Sequence, residues 1–247
     1  MHIKSPTPAL RLAARKRPNG FPVMSQRWAG LLFLHWPVDP TIIQARLPEG
    51  LFVDTHKGQA WLGVVPFFME KVRPVMLPTI PRLSWFLELN VRTYVHDAAG
   101  NPGVWFFSLD CNQPVAVEIA RYLFHLPYEH ASMQSVWRGN EIDYRCRRKT
   151  QFARPAAYRY QTPASAAPAE EGSLEWFLIE RYLLFSTKRD GSLHGGRVHH
   201  APYRIAPAVC HEWSAEPLRM NGFARPKCPP PSMLVAEPVD VLVFPLK

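Results

Sequence analysis

The chain has 247 residues, of which 47% are hydrophobic and 20% are charged, and its formal net charge is +9. That apolar content excludes a wholly disordered chain, and the length suits one domain or two. No apolar stretch reaches the roughly 18 residues of a membrane-spanning helix, so we expect a soluble, cytoplasmic protein.

Residues 1–24 form a basic segment that we predict to be a disordered tail. It contains no acidic residue, and its positive charges are Lys4, Arg11, Arg15, Lys16 and Arg17. Such a composition is also typical of an organelle transit peptide. Alternatively, translation starts at Met24, because the first predicted strand follows directly. We predict that residues 25–247 form a single domain.

The first half of this domain is predicted to consist of short strands and one short helix. Residues 28–38 indicate a buried strand, and Asp39 followed by Pro40 is typical of a capped helix start. A continuous apolar run over 59–68 indicates a strand that is buried on both faces. A proline-rich loop follows over 73–81, and the 26 prolines of the chain favour many such turns over a helix bundle.

Residues 87–95 alternate strictly between apolar and polar side chains. Successive side chains of a strand point to opposite faces, so this pattern predicts a strand with one apolar and one polar face. The apolar run over 104–111 lies beyond a turn, and the two segments together predict a β-hairpin.

The second half contains the one substantial helix that we predict. Apolar residues of 114–126 recur at helical spacing between Pro114 and Pro127. Residues 174–187 are apolar and aromatic, and we interpret them as a strand that ends in a hairpin. Further strands are predicted over 133–138, 141–149, 156–161, 196–205 and 239–244, so the fold class is mainly β with one substantial helix.

Several ordered segments resemble the family called domain of unknown function 2071. They are residues 31–38, 47–51, 60–67, 88–95, 103–110, 120–121, 126–128 and 180–182. That family is similar at a distance to the acetoacetate decarboxylase superfamily. The resemblance implies a conical, largely antiparallel β barrel around an enclosed pocket.

The resemblance does not carry over the decarboxylase chemistry. A Schiff-base mechanism needs a lysine whose pKa is lowered by burial or by a neighbouring cation, and the decarboxylases have adjacent lysines on a pocket strand. This chain has no Lys-Lys pair, and Lys71 comes nearest to an apolar strand. We therefore expect no Schiff base unless Lys71 lies inside the pocket.

The polar face of 87–95 contains the first candidate site residues, which are Glu88, Asn90, Arg92 and Tyr94. If this face points into a barrel, Arg92 can anchor an anion and Glu88 can act as a base or pair with the arginine. Asn90 and Tyr94 would then bind the ligand. The alternative is an ordinary solvent-facing surface with a loose Glu88–Arg92 pair.

Four further residues are candidates for ligand binding. Asp110 ends an apolar strand, where it could act as an acid or cap the following helix. Arg121 follows Glu118 by three residues, which predicts a surface pair, but it also lies in a segment that matches the family. Glu180 and its neighbour Arg181 would face opposite ways on a strand. His35 lies in an apolar strand and is more typical of the core.

Metal and cofactor sites have little support in the sequence. His194, His199 and His200 do not share one strand face, and the four cysteines form no C-x-x-C pair, so we predict reduced thiols, no metal and no cofactor. The basic run over 145–149 is typical of a solvated surface, which disfavours nucleic-acid binding.

Three functions remain open from the sequence alone. The first is an enzyme that acts on a small keto or carboxylic acid without a Schiff base. The second is a non-catalytic barrel that binds a small apolar or acidic ligand. The third is nucleic-acid binding through the basic tail and residues 145–149. The chain is also compatible with a homo-oligomer.

Overall fold

The computed structural model describes residues 3–150, 152–188 and 190–247, and this part of the chain is mainly β, as predicted. Its helices are α1 (Pro8–Ala14), α2 (Pro40–Gln44), α3 (Pro114–Leu123), α4 (Leu174–Ile179) and α5 (Glu216–Met220). Its strands are β1 (Met24–Ala29), β2 (Leu31–Val38), β3 (Leu51–Val53), β4 (Ala60–Pro74), β5 (Phe86–Asp97), β6 (Pro102–Cys111), β7 (Tyr128–Arg138), β8 (Glu141–Arg148), β9 (Ala156–Gln161), β10 (Ala167–Pro168), β11 (Leu183–Thr187), β12 (Leu193–His199), β13 (Arg204–Pro207), β14 (Cys210–Glu212), β15 (Ser232–Ala236) and β16 (Val239–Val243).

The sheet is ring-like, because the strand pairings return to their starting point. The ring runs through β4, β5, β6, β11, β12, β16 and β1 and then back to β4. Every pair in it is antiparallel except β6 with β11, which are parallel. Strands β2, β15, β13 and β10 extend the sheet from β4, and β7, β8, β9 and β14 extend it from β6.

Strand β5 separates two hydrophobic cores, although its alternating sequence alone predicts only one apolar face. Leu87, Leu89 and Val91 belong to a core that includes Tyr144 and other side chains of the β7–β9 extension. The opposite face of β5 points to the core inside the ring, to which side chains of all seven ring strands contribute. The polar face that contains Glu88 and Arg92 therefore lies inside the ring and not in bulk solvent.

The helices differ in two ways from the sequence expectation. One substantial helix is not confirmed, because α3 is accompanied by four helices of five to seven residues. The first half of the strand predicted over 174–187 is wrong, because residues 174–179 form α4 before β11 begins. Ser173 caps this helix by accepting a hydrogen bond from the Trp176 amide, and all four residues from Trp176 to Ile179 are buried.

The N-terminal segment packs on the ring, which differs from the disordered tail that we predicted. Thr7 caps α1, and Arg11 forms a two-pronged ion pair with the buried Asp54 at 2.7 and 2.8 Å. Arg15 binds Glu180 at 3.1 Å. These contacts explain the difference, because Arg11 and Arg15 each bind a carboxylate of the domain. Residues 1 and 2 lie outside the described part.

The first predicted elements are found with small shifts in their ends. The segment 28–38 is divided into β1 and β2 at Gly30, whose positive φ of 55° allows the chain to turn between them. Asp39 caps α2 as predicted, by accepting a hydrogen bond from the Thr41 amide. Among the described residues, no helix is both long enough and apolar enough to cross a bilayer.

Candidate functional site

A cavity of about 520 Å³ lies inside the ring, beneath α3. Most of its wall is apolar and comes from strands of the ring, from α3 and from the segment after β4. Its main polar lining residues are Gln26, Arg73, Glu88, Arg92, Tyr128 and Arg181. Its volume is in the range of roughly 300–1,000 Å³ that is usual for small-molecule pockets.

Glu88 is the acidic group of this cavity and is only 3% exposed. Its Oε2 accepts a hydrogen bond of 2.7 Å from the Tyr128 hydroxyl. Burial raises the pKa of Glu88 to about 7, although hydrogen bonds from Tyr128 and Asn90 favour the charged form. A carboxyl group with this pKa is partly protonated at neutral pH, so it can both donate and accept a proton.

Arg92 lines the same cavity two residues beyond Asn90, on the same face of β5. Its Nη2 donates to the Leu178 carbonyl at 3.2 Å, and its guanidinium lies 5.3 Å from the ring centre of Phe33. Its Nε–H is buried without a hydrogen-bond partner, and no carboxylate of the described residues pairs with it. A half-buried guanidinium whose buried Nε–H is free is suited to bind an anionic ligand.

Arg181 is a second cation at the cavity, whereas the sequence interpretation selected its neighbour Glu180. It follows α4, its Nε donates to the Phe177 carbonyl at 2.8 Å, and its Nη1 binds Asp54 at 2.7 Å. Burial lowers the pKa of Arg181 to about 10, and the charge of Asp54 opposes this effect. The Nη2 group of Arg181 is buried without a partner. The serine cap at residue 173 was the sequence signal that could have placed this arginine after a helix.

Three of the predicted residues lie beside the cavity and support its walls. Asn90 is buried with its Oδ1 unpartnered, and Tyr94 lies behind the Arg92 guanidinium. The Tyr94 hydroxyl is 2.8 Å from Nε2 of the fully buried His35. Burial and the nearby Arg92 charge lower the pKa of His35 well below its usual value, so this histidine is a neutral core residue.

The other three predicted ligand-binding residues are not brought to the cavity. Asp110 faces the second core, where Arg148 binds it at 2.6 Å, and the α3 cap is Gln113 instead. Arg121 lies on the surface near Glu118, as its spacing predicts. Glu180 is buried, but its carboxylate accepts hydrogen bonds from the N-terminal segment and from Tyr182. The buried carboxylates of Asp110 and Glu180 thus have structural partners, which a sequence pattern could not show.

The residues that would support other chemistries lie elsewhere. Lys71 is exposed at the end of β4, and none of the described residues that line the cavity is a lysine. Burial raises the pKa of the Cys111 thiol to about 12, which makes it a poor nucleophile. Within residues 3–150, 152–188 and 190–247, no three His, Cys, Asp or Glu side chains are grouped to hold a metal ion.

The sequence and the structure were compared with known proteins. The model of the family DUF2071, described as an uncharacterized conserved protein, matches residues 25–240. The chain belongs to this family. An uncharacterized protein of Bacillus subtilis (strain 168), YqjF, is 41% identical over 233 residues, which cover 93% of this chain and 94% of YqjF. The predicted family resemblance is thereby confirmed.

Solved structures of other proteins have the same fold as this DUF2071 protein. The enduracididine biosynthesis enzyme MppR, complexed with pyruvate, has a TM-score of 0.63 at 12% identity and covers 94% of this chain and 92% of its own. Acetoacetate decarboxylase from Legionella pneumophila has a TM-score of 0.61 at 12% identity, with 94% and 90% covered. At such low identity the likeness shows an acetoacetate-decarboxylase-like fold alone.

Proposed function

We propose that this DUF2071 protein binds a small keto or carboxylic acid inside its ring, and that Glu88 exchanges a proton with the bound acid. The proposal includes the interpretation of the ring as a conical barrel that encloses the ligand. One observation carries it: a carboxyl group with a pKa of about 7 and a guanidinium without a carboxylate partner line the same cavity.

Spacing along β5 suits a small ligand between the two groups. Glu88 and Arg92 are four positions apart on the strand, which places their Cα atoms about 13 Å apart on one face. Both side chains extend from the same wall, so a short acid can contact Arg92 with its carboxylate and Glu88 with the C–H group next to its carbonyl. The apolar wall lowers the local dielectric and strengthens the contact between guanidinium and carboxylate.

The chemistry proposed for Glu88 is proton transfer at the carbon next to the carbonyl group. The deprotonated carboxylate takes a proton from this carbon, and the electron pair of the C–H bond moves toward the carbonyl oxygen. The cationic charge of Arg92 stabilises the enolate that forms. No amine is required, in agreement with the absence of lysine from the described lining residues. That MppR was solved with pyruvate supports a keto acid as the first ligand to test.

The test combines binding with isotope exchange. Pyruvate should bind, acetone should bind far more weakly, and ¹H NMR in D₂O should show exchange of the pyruvate methyl protons. Arg92→Gln should weaken pyruvate binding by about 10- to 150-fold, because a hydrogen bond to a charged group contributes roughly 1.5–3 kcal/mol. The matched control is Arg145→Gln, at an exposed arginine on β8. Equal affinity of both variants would refute Arg92 as the anion anchor.

Glu88→Gln tests the acid–base role separately. This variant should retain pyruvate binding and lose the methyl exchange.

A non-catalytic binding protein is the alternative function. It is favoured by the contact of Tyr128, which already occupies Oε2 of Glu88 at 2.7 Å. Tight binding with no exchange above the rate in buffer would establish this alternative and exclude the enzyme.

A further inference from the structure

The cavity has a cationic deep end and a largely apolar mouth, where Arg73 is partly exposed. Arg181, which lines the deep end, is only 6% exposed. Ile119 and Leu123 of α3 also line the cavity, but they are 44% and 56% exposed. A ligand that enters past α3 therefore passes apolar side chains before it reaches the arginines.

Two guanidinium groups at the deep end are anchored to neighbouring backbone carbonyls. The carbonyls of Phe177 and Leu178, consecutive residues in the last turn of α4, accept hydrogen bonds from Arg181 and Arg92 respectively. Both guanidinium carbons lie near the Tyr94 ring, at 5.1 and 5.6 Å from its centre. Each arginine keeps one buried N–H without a partner, Nη2 of Arg181 and Nε of Arg92. These free donors are suited to the oxygens of one anionic head group.

The direct ion pairs at this end contain more guanidinium groups than carboxylates, and Glu88, the other carboxyl group of the cavity, bonds Tyr128. Asp54 is shared between Arg181 and Arg11, so one carboxylate faces two guanidinium groups. Arg92 adds a third cation without a carboxylate partner among the described residues. Burial of unbalanced charge is unfavourable, and a bound carboxylate would relieve it.

The apolar part of the cavity is larger than a short keto acid requires. Phe67, Met69 and Phe86 form its wall between the deep end and the mouth. Tyr122 of α3 and Leu77, which follows β4, are further exposed apolar side chains, at 80% and 54%. A ligand with only three or four carbons would leave this wall in contact with water, whereas an apolar chain would cover it.

We propose that the ligand of this cavity is an organic acid with a long apolar chain. Its carboxylate lies between Arg92 and Arg181, and its chain extends along the apolar wall toward α3. This inference rests on the proposed function and narrows its substrate class to amphiphilic acids. Arg181 is then a specificity-determining residue as well as a partner of Asp54.

A chain-length series tests the inference with the full chain. The dissociation constants of straight-chain 2-oxo acids and saturated fatty acids from three to twelve carbons are measured by calorimetry. Burial of one methylene contributes roughly 0.8 kcal/mol, so affinity should rise about fourfold per added carbon until the chain reaches the mouth. The primary alcohols of the same lengths should bind at least about tenfold more weakly, because they lack the charge that the arginines recognise.

Two neighbouring residues of α3 provide a matched pair of variants. Ala116 lines the cavity, whereas Val115 is exposed on the same helix and is not part of the described lining. Ala116→Trp should reduce the affinity for the longer acids and leave that for the short ones unchanged. Val115→Trp should change neither.

The outcomes separate this inference from the proposed function. Short acids that bind as tightly as long ones would overturn the inference and leave the proposed function standing. An absence of carboxylate binding at every length would overturn both. Equal binding of acids and alcohols would show that the apolar wall is used without the arginine pair, which also refutes the inference.

Discussion

The ionisation of Glu88 should make the stability of the fold depend on pH. Glu88→Gln removes the titrating group, retains its size and leaves an amide oxygen that can accept the hydrogen bond from Tyr128. All other ionisable groups are the same in the two proteins. The difference in the free energy of unfolding between wild type and variant therefore isolates this carboxyl group.

The sign of the effect follows from the raised pKa. Burial raises the pKa of Glu88 from 4.5 in the unfolded chain to about 7 in the fold. Below pH 4.5 both states are protonated and the fold bears no penalty. As the pH rises to 7, the unfolded chain releases its proton first, so the fold loses about 3 kcal/mol relative to the acidic limit. Above pH 7 the loss is complete.

Urea unfolding of both proteins at pH values from 4 to 8.5 measures this difference. The Glu88→Gln variant should gain stability relative to wild type by about 3 kcal/mol across the range, with most of the gain between pH 4.5 and 7. ¹³C NMR of the Glu88 carboxyl carbon provides the pKa directly. A difference that stays constant with pH, together with a carboxyl midpoint near 4.5, would refute the argument that burial holds a proton on this group.

Three further predictions concern the contacts around the site. Arg11→Ala should lower the free energy of unfolding by about 1.5–3 kcal/mol, because its bonds to a buried aspartate are lost; a chain that begins at Met24 should lose at least as much in urea unfolding. Gly103→Ala should lower the free energy of unfolding, measured in thermal melts, by about 1–3 kcal/mol, because its Cβ would lie 2.7 Å from a backbone oxygen of β11. Gly195→Ala should lower it less, because the new Cβ would meet only a side-chain methyl at 3.2 Å. Asp110→Ala should destabilise the fold by about 3–5 kcal/mol in urea, because it leaves a buried arginine unpaired; a loss below 1 kcal/mol would contradict this.

The sequence predicts the orientation of β5 because two independent patterns agree there. Its strict alternation places Leu87, Leu89 and Val91 on one face, and only a strand between two cores can bury both faces. The family resemblance supplies the second core by implying an enclosed ring. Together they still leave a solvent-facing surface open as the alternative, and the structure places Glu88 and Arg92 in one cavity.

The sequence could not predict the position of Arg181 or its shared partner Asp54, for two physical reasons. Residues 174–187 are so continuously apolar that helical and strand periods fit equally well, and this ambiguity hides the turn that directs Arg181 inward. The pairing of Arg11 with Asp54 joins residues 43 positions apart through a segment whose composition alone suggests disorder. Contacts of this kind depend on tertiary packing, which leaves no local pattern.

The polar face of β5 is difficult to explain as a structural feature. A carboxyl group held at a pKa of about 7, an unpartnered Asn90 oxygen and two free arginine N–H groups all lie in or beside one cavity. Each unsatisfied buried polar group costs roughly 1–3 kcal/mol, which together is a large part of the net stability of a typical domain. Apolar residues at these positions would make a more stable ring. The arrangement becomes favourable once an anionic ligand supplies the missing partners, and binding of such a ligand should therefore raise the melting temperature of the protein.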